Sequence, residues 1–318
     1  MINFIIRRII LAIIIIILSS MLIFFGMRLL PGDPVLMIVT KNQQQEFNEE
    51  YLQELRHRHG LDKPMIVQYF NWASDVLRGD FGTSILNPRP VSDEILRRLP
   101  ISIHLGGLAF IIGHILGIPA GIICAVRRGK WLDTVITTMA NIGITMPNFW
   151  LGIILMYAFG FQLNFLPIMG YTSPFEDFWL NTKQLVMPVI CLTLFPLAGV
   201  TRQARSSMLE VMSQDYIRTA WSKGLTERSV ILRHGIKNGM IPIITLAGVG
   251  LANIIGGAVI IETVFNIPGL GRLAVDSVIN QDYPYVQAIT LLVAVTVVLT
   301  NLIVDVSYGW LDPRIRYR

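Results

Sequence analysis

Five histidines, two cysteines and one Gly-Lys pair are the residues of this 318-residue chain whose types could carry chemistry. A nucleotide-hydrolysing loop needs GxxxxGK[ST], in which backbone amides cradle phosphate and the lysine reaches the outer phosphates. Gly129-Lys130 is followed by Trp131 and has no glycine at the upstream spacing. The chain is therefore expected not to hydrolyse ATP itself. Cys124 and Cys191 lie inside apolar runs without CxxC spacing or a nearby histidine pattern, which describes buried thiols rather than a disulfide or metal site. His57 and His59 belong to a charged segment and read as solvated. His104 and His114 are too far apart along one apolar run for neighbouring helical turns to join them. They read as packing or hydrogen-bonding groups. HExxH and GxSxG are absent. No catalytic residue, metal site or cofactor is predicted for this chain.

The elements that would hold these residues are membrane helices. Hydrophobic residues make up 53% of the chain and charged residues 15%, with mean hydropathy +0.57. Soluble domains carry about 25% charge. Nucleic acid is excluded as a partner: the net charge of +5 is spread between apolar runs, as a membrane protein would spread it. The first run extends from Ile9 to Met27 behind Arg7 and Arg8, longer than the ~7–15 residues of a signal-peptide core. It has no small-residue cleavage site and reads as an uncleaved membrane helix. A span needs about 20 mostly apolar residues. Six candidates lie near 9–29, 100–126, 134–163, 185–203, 240–264 and 285–310. The fold class is all-α, a polytopic membrane protein of six transmembrane helices.

Lysine and arginine bias sets orientation. Arg7 and Arg8, then Arg127, Arg128 and Lys130, then Arg202, Arg205, Arg218, Lys223, Arg228, Arg233 and Lys237, and finally Arg314, Arg316 and Arg318 fall on one side. The expected topology puts both termini in the cytoplasm. The long external segment, about 31–99, opens with a chain break at PGDP, Pro31 to Pro34. In MIVQYFNWASDVL, Ile66, Tyr69, Phe70, Ala73, Val76 and Leu77 keep helical spacing. This helix either packs on the membrane domain or belongs to a docking surface for an external partner. Gly79 and Asp80 in RGDFG are expected to end it in a turn.

Polar groups within spans are costly and often functional. Asn141 and Asn148 flank Pro147, which is expected to kink the third span. Asn253 lies in a glycine-rich fifth span, and Asp305 near the inner end of the sixth. These serve helix packing or line a polar solute path. From Glu262 to Gly271 the chain is expected to turn near the outer mouth at Pro268-Gly269 and Gly271, as a gate or partner contact. The scarcity of buried acids argues against an ion-coupled secondary carrier. A membrane anchor without transport would not need the segment described next.

DYIRTAWSKGLTERSVILRHG, Asp215 to Gly235, is amphipathic and basic between two apolar runs. Tyr216, Ile217, Ala220, Trp221, Gly224 and Leu225 form one apolar face. Gly224 is placed to stop the first helix with positive φ. Thr226 is placed to cap the second, Glu227 falls in its first turn, and Val230 and Ile231 begin its apolar face. A DNA-reading helix pair does not fit between membrane spans. A lipid-surface helix is a second option. A defined glycine corner favours docking to a cytoplasmic protein.

RTAWSKG within this stretch resembles the coupling-loop motif of ABC-importer membrane subunits, with Ala220 and Gly224 in place and Arg218 and Thr219 departing from the usual acid and alanine. The peptide and nickel permease branch is similar along essentially the whole chain. The matching text is MRLLPGDP, QYFNW, GDFGTS, MPNFWLG, QDYIRTA, ETVFNIPGLGRL, DYPYVQ and LDPRIR, in that order. The resemblance implies an ABC type I importer transmembrane domain in the bacterial inner membrane. Residues 1–97 would form the first helix and external segment, 98–312 the core with a coupling loop at about 204–238, and 313–318 a cytoplasmic tail. ATPase coupling would fall to Asp215, Tyr216, Arg218, Thr219, Ala220, Lys223, Gly224, Leu225 and His234. The translocation path or gate would use Asn141, Pro147, Asn148, Asn253, Glu262, Pro268, Gly269 and Gly271. Implied partners are a second homologous permease, two ATPase subunits binding ATP and Mg, an external solute-binding protein and the lipid bilayer. Implied cargoes are dipeptides or oligopeptides, with glutathione, nickel or a metal chelate as alternatives.

Overall fold

The computed structural model describes residues 2–29, 53, 57, 62–84, 86 and 89–311, with the side chains of 2, 252, 253, 255 and 307–311 excepted. PGDP, His59 and the basic C-terminal tail lie outside the described residues. The helices are α1 (Ile2–Leu29), α2 (Met65–Leu77), α3 (Val91–Val126), α4 (Trp131–Thr145), α5 (Asn148–Leu155, continued by a π-wound turn Met156–Gln162) and α6 (Phe178–Met212). The helix pair follows as α7 (Asp215–Ser222) and α8, which joins Glu227–Ser229, a π-wound Val230–Ile236 and Lys237–Gly239. Then come α9 (Ile241–Gly256), α10 (Val259–Val264), α11 (Leu270–Ile279) and α12 (Tyr283–Leu311).

Four described helices are long and apolar enough to cross a membrane: Asn3–Leu29, Val91–Val126, Phe178–Met212 and Tyr283–Val306. The expected third span, 134–163, is not one straight helix. It bends by 100° between α4 and α5. Proline lacks an N–H and pushes its predecessor out of the helical region. Met146 accordingly sits at φ −77, ψ 124 ahead of Pro147. Counting the bent pair as one span gives five. The expected fifth span, 240–264, is divided at Gly257 and Ala258 into α9 and α10. The expected kink at Pro147 is present, and the described residues hold four spans by length and composition, or five with the bent pair, where the sequence suggested six.

The centre of the bundle is the α3–α6 pair. Gly113, Gly117 and Gly121 recur at every fourth residue along α3 and so share one stripe. A Cβ on Gly117 would stand 2.9 Å from the Leu197 carbonyl, and one on Gly121 would stand 2.5 Å from the Thr201 carbonyl. Only bare backbone allows this approach. Thr193 and Thr201 on α6 then donate to the carbonyls of Ala109 and Gly117. Without a hydrophobic drive between helices in lipid, such close packing and interhelical hydrogen bonds supply the association energy. The stripe was legible in GHILGIPAG as small residues at four-residue spacing.

Helix α1 rides on the outside. Ile10, Ile13 and Leu22 are at least half exposed, as lipid-facing residues would be. Its inner residues Ala12, Ile23 and Phe24 are buried. Arg8 pairs with Asp305 of α12 at 2.8 Å, so the acid near the end of the last span has a partner on the first. At the other end of α1, Phe24 packs edge-on to Tyr69 of α2, and Tyr69 shares a 2.9 Å hydrogen bond with Ser20. Helix α2 ends as its sequence requires. Gly79 adopts φ +84, and Asp80 accepts from the Gly82 amide at 2.8 Å.

Candidate functional site

Two sets of residues support a functional reading. The first is the α7–α8 pair. Lys223 caps α7 and Gly224 takes φ +74. The Gly224 amide donates to Trp221 and the Leu225 amide to Ala220, the paired bonds of a Schellman stop. The glycine corner read from sequence is thus present. Thr226 is the residue before α8, as expected, but its side chain makes no capping bond.

The apolar face of α7 divides in two. Ile217 and Ala220 are buried against Val230, Val211 and Met212. Tyr216, Trp221 and Leu225 are exposed, at 41%, 43% and 36%. Asp215 and Arg218 are also exposed and face each other at 3.3 Å. Thr219 and Lys223 share this open surface. His234 is half buried on α8, and its carbonyl accepts from Asn238, whose amide also donates to the Tyr216 hydroxyl.

Beneath this surface the pair is clamped to α6. Met208 is 1% exposed, and a Cβ added at Gly235 or Gly239 would meet it at 3.0 or 2.9 Å. Ser207 donates to the Gly239 carbonyl at 2.8 Å. One helical turn earlier, Arg205 forks onto Asp133 of α4 at 2.7 and 2.9 Å. Asp133 also accepts from the Gly129 amide and from Thr137. A bidentate guanidinium–carboxylate pair fixes orientation as well as distance. The α7–α8 pair is thus packed on α6, and α6 is joined to α4. Sequence reading missed Asp133 because its partner is remote in the chain; an acid just after a basic turn was the available signal.

The second set surrounds Glu262, which is fully buried. Its carboxyl accepts from the Ser102 hydroxyl at 2.6 Å and from the Arg272 amide at 2.9 Å, and it faces the Gly271 amide. Ser102 in turn accepts from the Leu270 amide at 2.8 Å. The first amides of α11 would otherwise be orphaned donors. Here a carboxyl from α10 and a hydroxyl from α3 satisfy them, and the dipole at a helix start favours such an acceptor. The two glycines of IPGLG make room. A Cβ at Gly269 would lie 2.3 Å from the Glu262 carboxyl carbon, and one at Gly271 would lie 2.6 Å from the Val259 Cα. Pro268 leads into the turn. Ile267 is buried beside it, and Asn266 takes φ 54 and bonds the Arg272 guanidinium. The α11 residues Leu270 and Leu273 then pack on Val91, Ile95 and Tyr285. Ser84 donates to Asp282 at 2.5 Å nearby. The turn expected from Glu262 to Gly271 is present, and its glutamate is buried within it rather than displayed.

Among the described side chains, the remaining path candidates Asn141 and Asn148 lie on different helices, α4 and α5. Asn148 lines a cavity among α3, α5, α6 and α9. Asn141 is exposed on α4. Asn253 lies in α9, with its side chain outside the described residues. His104 faces the Tyr171 hydroxyl at 3.3 Å, a helix-to-loop contact. Burial pushes the Tyr171 phenol above its ordinary pKa. Cys124 and Cys191 are buried, with free thiols.

The helices form a membrane-type bundle with the α7–α8 pair clamped to α6. Residues 117–317 match the family described as binding-protein-dependent transport system inner membrane component, and residues 1–106 match the corresponding N-terminal family. The chain belongs to this family. It is 40% identical, over 92% of each chain, to a probable peptide ABC transporter permease protein of Sinorhizobium fredii. It is 38% identical over the whole of each chain to the oligopeptide transport system permease protein AppB of Bacillus subtilis, and equally to the glutathione transport system permease protein GsiC of Escherichia coli. A solved structure of the MetNI methionine ABC transporter in an inward facing conformation shares the fold, with TM-score 0.57 at 15% identity over 69% of this chain and 96% of that one. The chain is a transport subunit of an inner membrane rather than an ATPase.

Proposed function

We propose that this chain forms half of the translocation pore of an ATP-driven importer of dipeptides or oligopeptides. A second homologous permease completes the pore, two cytoplasmic ATPase subunits bind ATP and Mg, and an external solute-binding protein delivers the cargo. No Walker-type motif belongs to this chain. Both termini and the α7–α8 pair face the cytoplasm. The core comprises 98–312, preceded by the first helix and external segment of 1–97.

One observation carries this reading. Tyr216 and Trp221 are exposed on either margin of the α7 face that Ile217 and Ala220 lock against Val211 and Met212, and Leu225 is exposed just past the helix end. Large apolar residues held rigidly at a surface mark a protein-docking site. Closure of the ATPase dimer would move α7, and α6 and α4 would follow through Met208, Ser207, Arg205 and Asp133. The membrane domain then alternates between inward-open and outward-open states whose relative stability the ATPases set. Asp215, Arg218, Thr219, Ala220, Lys223, Gly224 and His234 shape or surround the docking surface. Asn141, Pro147, Asn148, Asn253, Glu262, Pro268, Gly269 and Gly271 belong to the path and its outer gate. The peptide and glutathione relatives support a peptide cargo over nickel or a metal chelate.

The test is recovery of the chain from native membranes in mild detergent, with its companions identified by mass spectrometry. A second permease and Walker-motif ATPases are expected, with the binding protein then screened against peptides. Recovery of the chain alone, with Asp215 to Gly235 open to protease, would refute the coupling role.

A further inference from the structure

A partly open cavity of about 230 Å³ lies among α3, α5, α6 and α9. Its lining is mostly apolar and contains no charged side chain. Leu192, Phe195 and Val249 supply bulk, and Gly199 supplies the opposite: a Cβ built there meets nothing within 4 Å. Phe110 and His114 meet at 4.1 Å between ring centres on one wall. His114 Nδ1 is engaged by the Phe110 carbonyl at 2.8 Å, whereas its buried Nε2 has no hydrogen-bond partner. Asn148 adds an amide at the start of α5.

Apolar cavities of ~150 Å³ hold a benzene ring, so this one has room for an aromatic or branched side chain. A buried ring nitrogen without a partner carries a desolvation penalty that a ligand hydrogen bond would remove. Uncharged walls disfavour a charged group, because nothing here would compensate its lost hydration. The occupant that satisfies all three conditions has an apolar body and an adjacent neutral hydrogen-bonding group. A residue within a peptide is such a group, with its side chain in the cavity and a backbone amide or carbonyl at His114 and Asn148.

We propose that this cavity is the chain's own subsite for a bulky apolar side chain of the transported peptide, so that the permease adds selectivity to that of its binding protein. The proposal rests on the peptide-import reading. Its position supports a role in transport, since Gly257 and Ala258 line it and lead directly into α10, which carries Glu262.

The test uses the complete transporter in membrane vesicles with alanyl-phenylalanyl-alanine and trialanine as labelled probes, so that the phenylalanine is flanked by neutral amides. Gly199→Leu fills the cavity from an open helix face, and leucine favours a helix over glycine. Its expected effect is a roughly tenfold fall in the uptake ratio of alanyl-phenylalanyl-alanine to trialanine, the discrimination an apolar pocket can supply. The ratio cancels any change in expression or coupling. His114→Phe, which removes the ring nitrogens, should shift the Michaelis constant for alanyl-phenylalanyl-alanine more than that for trialanine. As an independent measurement, the thiol of a Gly199→Cys variant should be alkylated more slowly by N-ethylmaleimide when alanyl-phenylalanyl-alanine is present, but not when trialanine is. The native Cys124 and Cys191 are buried and give little background. Uptake of both peptides with an unchanged ratio in Gly199→Leu, or alkylation indifferent to peptide, overturns the subsite and leaves peptide import standing. Uptake of neither peptide by the unaltered transporter overturns peptide import and the subsite together.

Discussion

The α7–α8 pair and the Glu262 turn solve opposite problems with the same glycine-rich material. In the pair, Gly224 makes a corner at φ +74 with open space around it. Around Glu262, Gly269 and Gly271 stand where a methyl group would strike other atoms. The first region displays large apolar residues and keeps only Ile217, Ala220 and Val230 for its own small core. The second buries a carboxyl completely and spends it on the start of α11. A surface that displays large side chains needs a rigid base and an open face. A turn that holds three elements in register needs every polar group satisfied.

Mutations should separate the two. The largest effect is expected from Glu262→Ala, which orphans Ser102 and the amides at the start of α11. Removing one member of a buried polar cluster costs on the order of 3 kcal/mol. Thermal unfolding of the purified chain in detergent should shift accordingly. Glu262→Gln should fall between, since its amide nitrogen would point at other donors. An unchanged midpoint for Glu262→Ala would erase the contrast between the regions.

Gly271→Ala comes next. Its new Cβ meets the Val259 backbone, which cannot swing aside, so about 1–3 kcal/mol of overpacking is expected. For Gly269→Ala the three nearest atoms to the new Cβ all belong to the Glu262 carboxyl. Its penalty should shrink when Glu262 is alanine as well, and a double-mutant cycle on unfolding midpoints would measure that coupling. Strict additivity would mean that the carboxyl does not set the space at Gly269.

Gly224→Ala has room for its methyl group but not the backbone freedom, and about 1 kcal/mol of strain follows. Gly224→Asn should be milder, because asparagine tolerates positive φ. Gly224→Glu should abolish uptake while membrane insertion persists. Normal uptake by that variant would remove the corner from the mechanism. Smallest in stability are Tyr216→Ala and Trp221→Ala, within about 0.5 kcal/mol, as exposed positions usually are. These two should nevertheless reduce solute-stimulated ATP hydrolysis by the partner subunits in reconstituted vesicles. Unaltered hydrolysis would show that the exposed face is not the docking face.

Sequence by itself determined what local patterns can carry. Apolar run length marked α1, α3, α6 and α12, because a membrane span is a property of about 20 consecutive residues. Helical periodicity found α2 and α7, and Gly79 and Gly224 located their ends, because positive φ is a single-residue constraint. The order of short motifs along the chain pointed to the transport family before any geometry was known. Only the tertiary structure decided the rest. Whether Pro147 would bend its span gently or by 100° depends on what packs around it. Asp133 with Arg205, Arg8 with Asp305, and Ser102 with Glu262 are pairs separated by 72 residues or more, and no local spacing joins them. Nor could periodicity divide the apolar face of α7 into buried Ile217 and exposed Trp221. That division depends on which neighbours cover the helix, which is a long-range property of the packed bundle.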